Sequence, residues 1–536
     1  MNSFKKDFAS FIKRYSFMVP LLVVTVLAFG FQVTNFTYGI DSIARDEYLF
    51  GGRSIAQGRL ALPLLAPLLN LSELFPFAEE FFGVVALLFG TISFCVAFKR
   101  ASHDKLNKHF YTAFACLFVT YPIITEYWVY AMMGWEMSIG YTMIAFSLMQ
   151  MMNFFNDKKI WRILLSSLML ALTVSIYEAL LPVYVMSVFM ILLLRFIFGE
   201  DEDRKFKHFA LNGLFMAIPL IIGMLFEFFV AWVLTKVMTL PPSLGASTGI
   251  TYKSLGLIGG LERAFLGIYE NFIASAVWYM PITILWIALF VFLAITIVLI
   301  IRNKKPVFLV LAFGCLFSLL LLTFIQGSVS PYRCCQVFSL FTAFTFALLL
   351  HYALQMPKFK LIKYTCSTLV VFLCFIQGVE TNNWFALNHQ RFEAEMRILE
   401  HVGYELITEY DTKKPIVFMG QKLLYNDRLT DHVYLDRQTQ LKYLEDTGYM
   451  RKIAQTSVGS MLGWSMTAFS QPGTELYKIF EYIGYDFVRC TNEMFNEARE
   501  LCKDMPEYPH DGYIQDFGEY IIVRLDTRAV GKVPET

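Results

Sequence analysis

Eleven stretches of this 536-residue chain are apolar over nearly the length a helix needs to cross a hydrocarbon core, about 20 residues. They lie near 17–38, 81–98, 109–124, 137–155, 163–175, 179–198, 209–238, 279–301, 306–325, 335–355 and 364–380, the third and fifth being the short ones. Inside lipid no water pairs a bare N–H or C=O, so each stretch must close its backbone hydrogen bonds on itself as a helix. The sequence therefore predicts a polytopic α-helical membrane protein of about eleven spans. The first stretch is too long for the core of a signal peptide and no clear small-residue cleavage site follows it, so it counts as a span.

Charge divides the chain in two. Residues 385–536 hold 41 charged side chains in 152 positions, an ordinary density for a soluble domain, whereas the first 384 residues hold only 48. This predicts a transmembrane region with outer loops over 1–384 and a soluble domain over 385–536. The soluble part is net acidic and has no basic patch, which speaks against nucleic-acid binding.

Lysine and arginine test the span map independently, because cytoplasmic loops carry the positive excess. Lys5, Lys6, Lys13 and Arg14 precede the first span. Every second loop after it is basic: Lys99 to Lys108, Lys158 to Arg162, Arg195 to Lys207 (with Arg204), Arg302 to Lys305, and Lys358 to Lys363. One side collects 21 cations and the other at most 7. The expected topology has the amino terminus in the cytoplasm and residues 381–536 outside. Seven cysteines lie in or beside apolar spans, while Cys490 and Cys502 fall in the exported domain, where a disulfide between them is permitted and expected. No CxxC or His-rich metal spacing occurs, so no metal site is assigned.

The candidate chemistry lies in four places on the outer side. The loop after span one carries Asp41, Arg45, Asp46, Glu47, Arg53 and Arg59, with Ser42–Ala56 readable as a surface amphipathic helix. Its plain alternative is a charged juxtamembrane loop with weak ion pairs. Glu126, Trp128, Trp135 and Glu136 follow at the outer ends of spans three and four, either as a belt of interfacial aromatics or as a wall for stacking and hydrogen-bonding sugar rings. Ser175-Ile176-Tyr177-Glu178-Ala179 sits between spans five and six, and Glu178 is the one acid between Asp157 and Glu200: a simple turn, or a carboxylate kept near lipid for use. Arg333, in Pro331-Tyr332-Arg333, is the one Lys or Arg between Lys305 and Lys358; it either snorkels to headgroups or grips a phosphate through its planar fork. Acids and an arginine gathered from several spans suit group transfer from a lipid phosphate, with a carboxylate as base and cations on the departing phosphate. No glycine-rich nucleotide loop precedes a helix.

Several of these motifs resemble the phage-type O-antigen glucosyltransferases, the Gtr glucosyltransferase family. They are Asp41-Ser42 with Arg45, Gly58-Arg59, Ser175-x-Tyr177-Glu178-Ala179 and Pro331-Tyr332-Arg333. The resemblance implies a GT-C-like membrane enzyme of the bacterial cytoplasmic membrane. Such an enzyme moves a sugar, usually glucose, from a polyprenyl-phosphate carrier to a surface polysaccharide, without a nucleotide sugar and with inversion. An acid in the first outer loop then serves as base. An acidic pair is common in the family where this chain has Asp41-Ser42, and a glutamine is frequent in place of Glu178, which favours Asp41 over Glu178. Asp46 and Glu47 stand in reserve. Arg45, Arg59 and Arg333 would meet phosphate or acceptor, with Tyr177, Trp128, Trp135 and Glu126 lining the substrate. No cofactor is implied, and a divalent cation is left open.

In the tail, Arg391–Tyr410 reads as a helix, and 415–420, 485–489 and 520–524 read as strands of a small α/β domain. A transporter or lipid flippase is the rival class. It would favour several charges deep within spans, where Glu227 is the clearest acid. A non-enzymatic partner in polysaccharide export is the third reading.

Overall fold

The computed structural model describes residues 2–73, 75–199, 205–240, 250–274, 280–328, 330–356, 359–420, 422, 460–464 and 474–526. Arg204, Lys358 and part of the 326–333 motif (Val329) lie outside them. A helix occupies each of the eleven apolar stretches. Among the described residues eight helices are long and apolar enough to cross a membrane, from Tyr15–Thr34 to Lys360–Glu409. Trp161–Ile176 is a shorter apolar helix, and Lys108–Thr120, with 13 residues, reaches only about 20 Å.

The chain forms two compact units. The first comprises Met1–Thr34, Tyr48–Trp128 and Met132–Phe385; the second comprises Asn35–Glu47, Val129–Ala131 and Ala386–Thr536.

In the first unit, phenylalanines hold the helices together. Phe94 and Phe98 meet Phe114 and Phe118 edge-on, and Phe98 and Phe110 meet Phe344. Several hydroxyls inside the helices donate to the carbonyl one turn back, as Thr91 to Leu87 and Ser318 to Gly314, which pairs them without leaving the helix. Helix ends are closed chemically. Asn107 caps Lys108–Thr120 by accepting the Phe110 N–H at 2.9 Å. Lys99 and Arg100, in the last turn of Pro76–Ala101, complement its dipole and bind Asp7 at 3.1 and 3.3 Å. Phe228, Phe229, Phe313 and Val371 instead point outward, as they must where lipid is the solvent. A kinked helix, Tyr252–Ile268, and a π-turn, Tyr269–Ala274, occupy a region without a sequence expectation.

The second unit contains a three-stranded sheet in the order β1-β3-β2, formed by β1 (Ile416–Met419), β2 (Ile514–Asp516) and β3 (Ile521–Arg524). β1 runs parallel to β3, with Ile416 opposite Ile521; β2 is antiparallel, with Ile514 opposite Val523. Phe418, Tyr477, Phe480 and Phe487 form the aromatic core beneath it. The expected strand at 485–489 contributes one bridge, Arg489 to Ile416, rather than a strand, and β2 was not anticipated. The expected last span and the Arg391–Tyr410 helix are one unbroken helix, Lys360–Glu409: it contains no Pro, and neither of its glycines, Gly378 and Gly403, takes a positive φ that would end it.

Candidate functional site

Three distant motifs meet in the first unit. Gly58 follows the short helix Arg53–Ala56 with φ +77°, a left-handed turn that returns the Arg59 N–H to the Ser54 carbonyl at 2.7 Å. Arg59 then lays its guanidinium over the Tyr177 ring, 4.5 Å from the centroid, and stands 3.7 Å from Glu178 Oε1. Tyr177 is the extended residue that ends Trp161–Ile176, so it and Glu178 leave the helical register before Leu180–Phe198 begins. The Tyr177 hydroxyl lies 3.2 Å from Cys334 Sγ, in the turn Tyr332–Cys334, which brings Arg333 within electrostatic reach of Tyr177. Glu227, the acid of the Phe206–Val237 helix, borders the group: a Cβ on Gly58 would lie 3.0 Å from its Oε1.

The Arg59–Glu178 pair is loosely held. Burial would lower the Arg59 pKa, but Tyr177 and Glu178 outweigh it and raise it, so the cation is permanent. The Arg59–Glu178 side chains remain 23% and 31% exposed, and an ion pair that long and that wet is worth less than about 1 kcal/mol. A ligand can replace either partner at little cost.

The aromatic group at spans three and four is built differently. Trp128 and Trp135 are buried, as are Glu126 and Glu136, so neither an interfacial belt nor an open stacking wall is formed. The Trp128 indole N–H donates to Glu80 Oε2, Gln32 Nε2 donates to Glu80 Oε1 at 3.1 Å, and Phe29 packs on the indole. Sequence reasoning overlooked Glu80. The available signal was an acid pair, Glu79-Glu80, opening an apolar helix.

The loop after the first span is three short helices, Ile40–Ile43, Arg45–Leu49 and Arg53–Ala56, and not one amphipathic helix over Ser42–Ala56. The helical run breaks first at Ala44 and again at Gly52, which takes φ +74° after Gly51. Asp41 and Glu47 are half-buried, Asp46 is exposed and Arg45 is buried. Within the second unit, Glu47 pairs with Lys478 at 3.5 Å, Tyr38 meets the Tyr482 hydroxyl at 3.2 Å, and Thr37 Oγ1 lies 3.1 Å from His389 Nδ1. Cys490 and Cys502 are both free thiols, so the expected disulfide is not formed. Each has a local partner instead: Cys490 Sγ accepts from the Tyr477 hydroxyl at 3.4 Å, and Cys502 Sγ contacts the Arg499 carbonyl at 3.5 Å. Burial pushes the Cys490 thiol above its usual range. Among the described residues no three His, Cys, Asp or Glu side chains group as metal ligands.

A bundle of apolar helices bearing a solvent-reachable carboxylate, two arginines and a tyrosine defines a membrane protein equipped to handle a polar substrate. The chain belongs to the glucosyl transferase GtrII family, whose model matches residues 30–350, more than half of its length. No curated protein and no solved structure matches it. It is accordingly a membrane glucosyltransferase, which sets aside the transporter reading and the non-enzymatic one. The matched span contains Asp41, Arg59, Tyr177, Glu178 and Arg333.

Proposed function

We propose that this enzyme transfers glucose from a polyprenyl-phosphate carrier to a surface polysaccharide such as O-antigen, on the outer side of the bacterial cytoplasmic membrane. The observation that carries the reading is the meeting of Arg59, Tyr177, Glu178 and Arg333, brought from three separate segments into one partly open cluster. The loop-by-loop alternation of basic residues supports an inside amino terminus and an outside carboxy-terminal domain.

In this reading a carboxylate takes the proton from an acceptor hydroxyl. The freed oxygen attacks the anomeric carbon, and the carbon–oxygen bond to the carrier breaks with its electron pair leaving on the polyprenyl phosphate. One direct displacement inverts the anomeric centre. Asp41 is assigned as base, with Asp46, Glu47 and Glu178 as alternatives. Arg59 and Arg333 offer fixed positive charge to phosphate or acceptor, which lowers the barrier where negative charge develops.

The test is glucosyl transfer by purified Asp41→Asn protein, supplied with polyprenyl-phosphate glucose and polysaccharide. Loss of a general base costs about 10²–10⁴-fold, and the variant should fall by that factor while expressing and melting like the wild type. Transfer at the wild-type rate would remove Asp41 from the role and send it to Glu178, Asp46 or Glu47.

A further inference from the structure

Outside the matched segment, the second unit holds a buried cation whose donors meet no hydrogen-bond acceptor among the described residues. Arg391 lies in the polar half of the Lys360–Glu409 helix and is only 3% exposed. Among the described residues no hydrogen-bond acceptor reaches its Nε, Nη1 or Nη2. One turn earlier Asn388 is also buried, and its Nδ2 likewise has no partner among the described residues. Positions 388, 391 and 395 share one helix face by their spacing of three and four.

The acid on that face is already engaged. Glu395 accepts from the Ser460 hydroxyl and from the Met461 backbone N–H at 3.1 Å, and the Ser460 oxygen accepts the Gly463 N–H at 2.8 Å. Glu395 and Tyr130 exert a field on Arg391, yet they fill none of its donor positions. A guanidinium cannot shed its proton, so a buried one with empty donors is costly unless an anion completes it.

We propose that Arg391 and Asn388 form a phosphate-binding site for the lipid carrier of the sugar donor. The donor set selects that chemistry. The forked Arg391 guanidinium and the Asn388 amide N–H, with the Glu395 oxygens already engaged, offer several open donors on one helix face, matching a group with several anionic oxygens better than a hydroxyl. The compact unit that holds Arg391 also holds Asp41, the assigned base. The inference rests on the polyprenyl-phosphate reading and adds a phosphate contact that the family match does not reach.

The full-length protein in phosphatidylcholine nanodiscs, titrated separately with a polyprenyl monophosphate, the matching phosphate-free polyprenol and inorganic phosphate, tests it. Melting temperature and apparent Kd are read for wild type, Arg391→Met, Arg391→Lys and Asn388→Leu. Polyprenyl phosphate should stabilise the wild type while polyprenol and inorganic phosphate leave it unchanged. Arg391→Met should weaken polyprenyl-phosphate binding at least about tenfold, with Arg391→Lys and Asn388→Leu in between. Ligand-free Arg391→Met should melt no lower than wild type, since an apolar stem replaces an unpaired charge. Unchanged binding by Arg391→Met overturns the site, as does a ligand-free variant that melts far below wild type, which would make the arginine a structural tie. Equal stabilisation by inorganic phosphate alone overturns the lipid assignment. A wild type that does not distinguish polyprenyl phosphate from polyprenol removes the carrier reading itself, a different failure from loss confined to Arg391.

Discussion

Glu80 and Glu178 are two acids of the first unit at the ends of apolar helices, and their surroundings differ in kind. Glu80 is buried, with one oxygen accepting from Gln32 and the other from the Trp128 indole, and Phe29 closes the group. Glu178 is nearly a third exposed and faces Arg59 across 3.7 Å, with Tyr177 beneath the cation. A carboxylate whose donors are internal and short-range contributes to the fold. One left facing a loosely held, permanent cation can exchange that partner for a substrate. Burial alone therefore does not separate an acid that holds the fold from one free to meet a substrate; the looseness of its partners does.

That contrast can be broken at its closed end first. Glu80→Ala leaves the Trp128 N–H and the Gln32 amide without an acceptor in an apolar interior, at about 1–3 kcal/mol for each orphaned group. A fall in melting temperature should follow, with transfer per folded molecule retained. An unchanged melting temperature would mean that the closed group is not structural. Gly58→Ala sharpens the open end by a smaller step. The residue would have to hold φ +77° with its Cβ 3.0 Å from Glu227 Oε1, a strain of about 1–2 kcal/mol. Because the turn aims Arg59, transfer should drop several-fold while most of the stability remains; wild-type transfer would show that the turn does not set the arginine.

Much of this was legible in the sequence. Apolar runs and the composition break at 385 come directly from solvent chemistry, and a helix stands on every run. Arg59, Tyr177, Glu178 and Arg333 were each singled out as rare charges or polar motifs beside apolar stretches, and they converge. What could not be read was partnership. Trp128 and Trp135 look like interfacial aromatics by position, but helix packing buries them, and only the fold shows that Trp128 turns its N–H to Glu80. Gly51-Gly52 was visible, yet its power to part Arg45–Leu49 from Arg53–Ala56 depends on the φ that Gly52 adopts. Arg391 gave no local signal, because its neighbours in sequence are those of an ordinary polar helix.

The most direct measurement is glucosyl transfer from polyprenyl-phosphate glucose by Glu178→Gln, with its melting temperature read on the same preparation. If the Arg59–Glu178 cluster meets the substrate as proposed, substituting Glu178, in an ion pair worth little to the fold, should cut transfer by about 10²-fold, roughly 2.7 kcal/mol, and leave melting where it was. Full transfer with a lowered melting temperature would make Glu178 a second Glu80 and contradict the account.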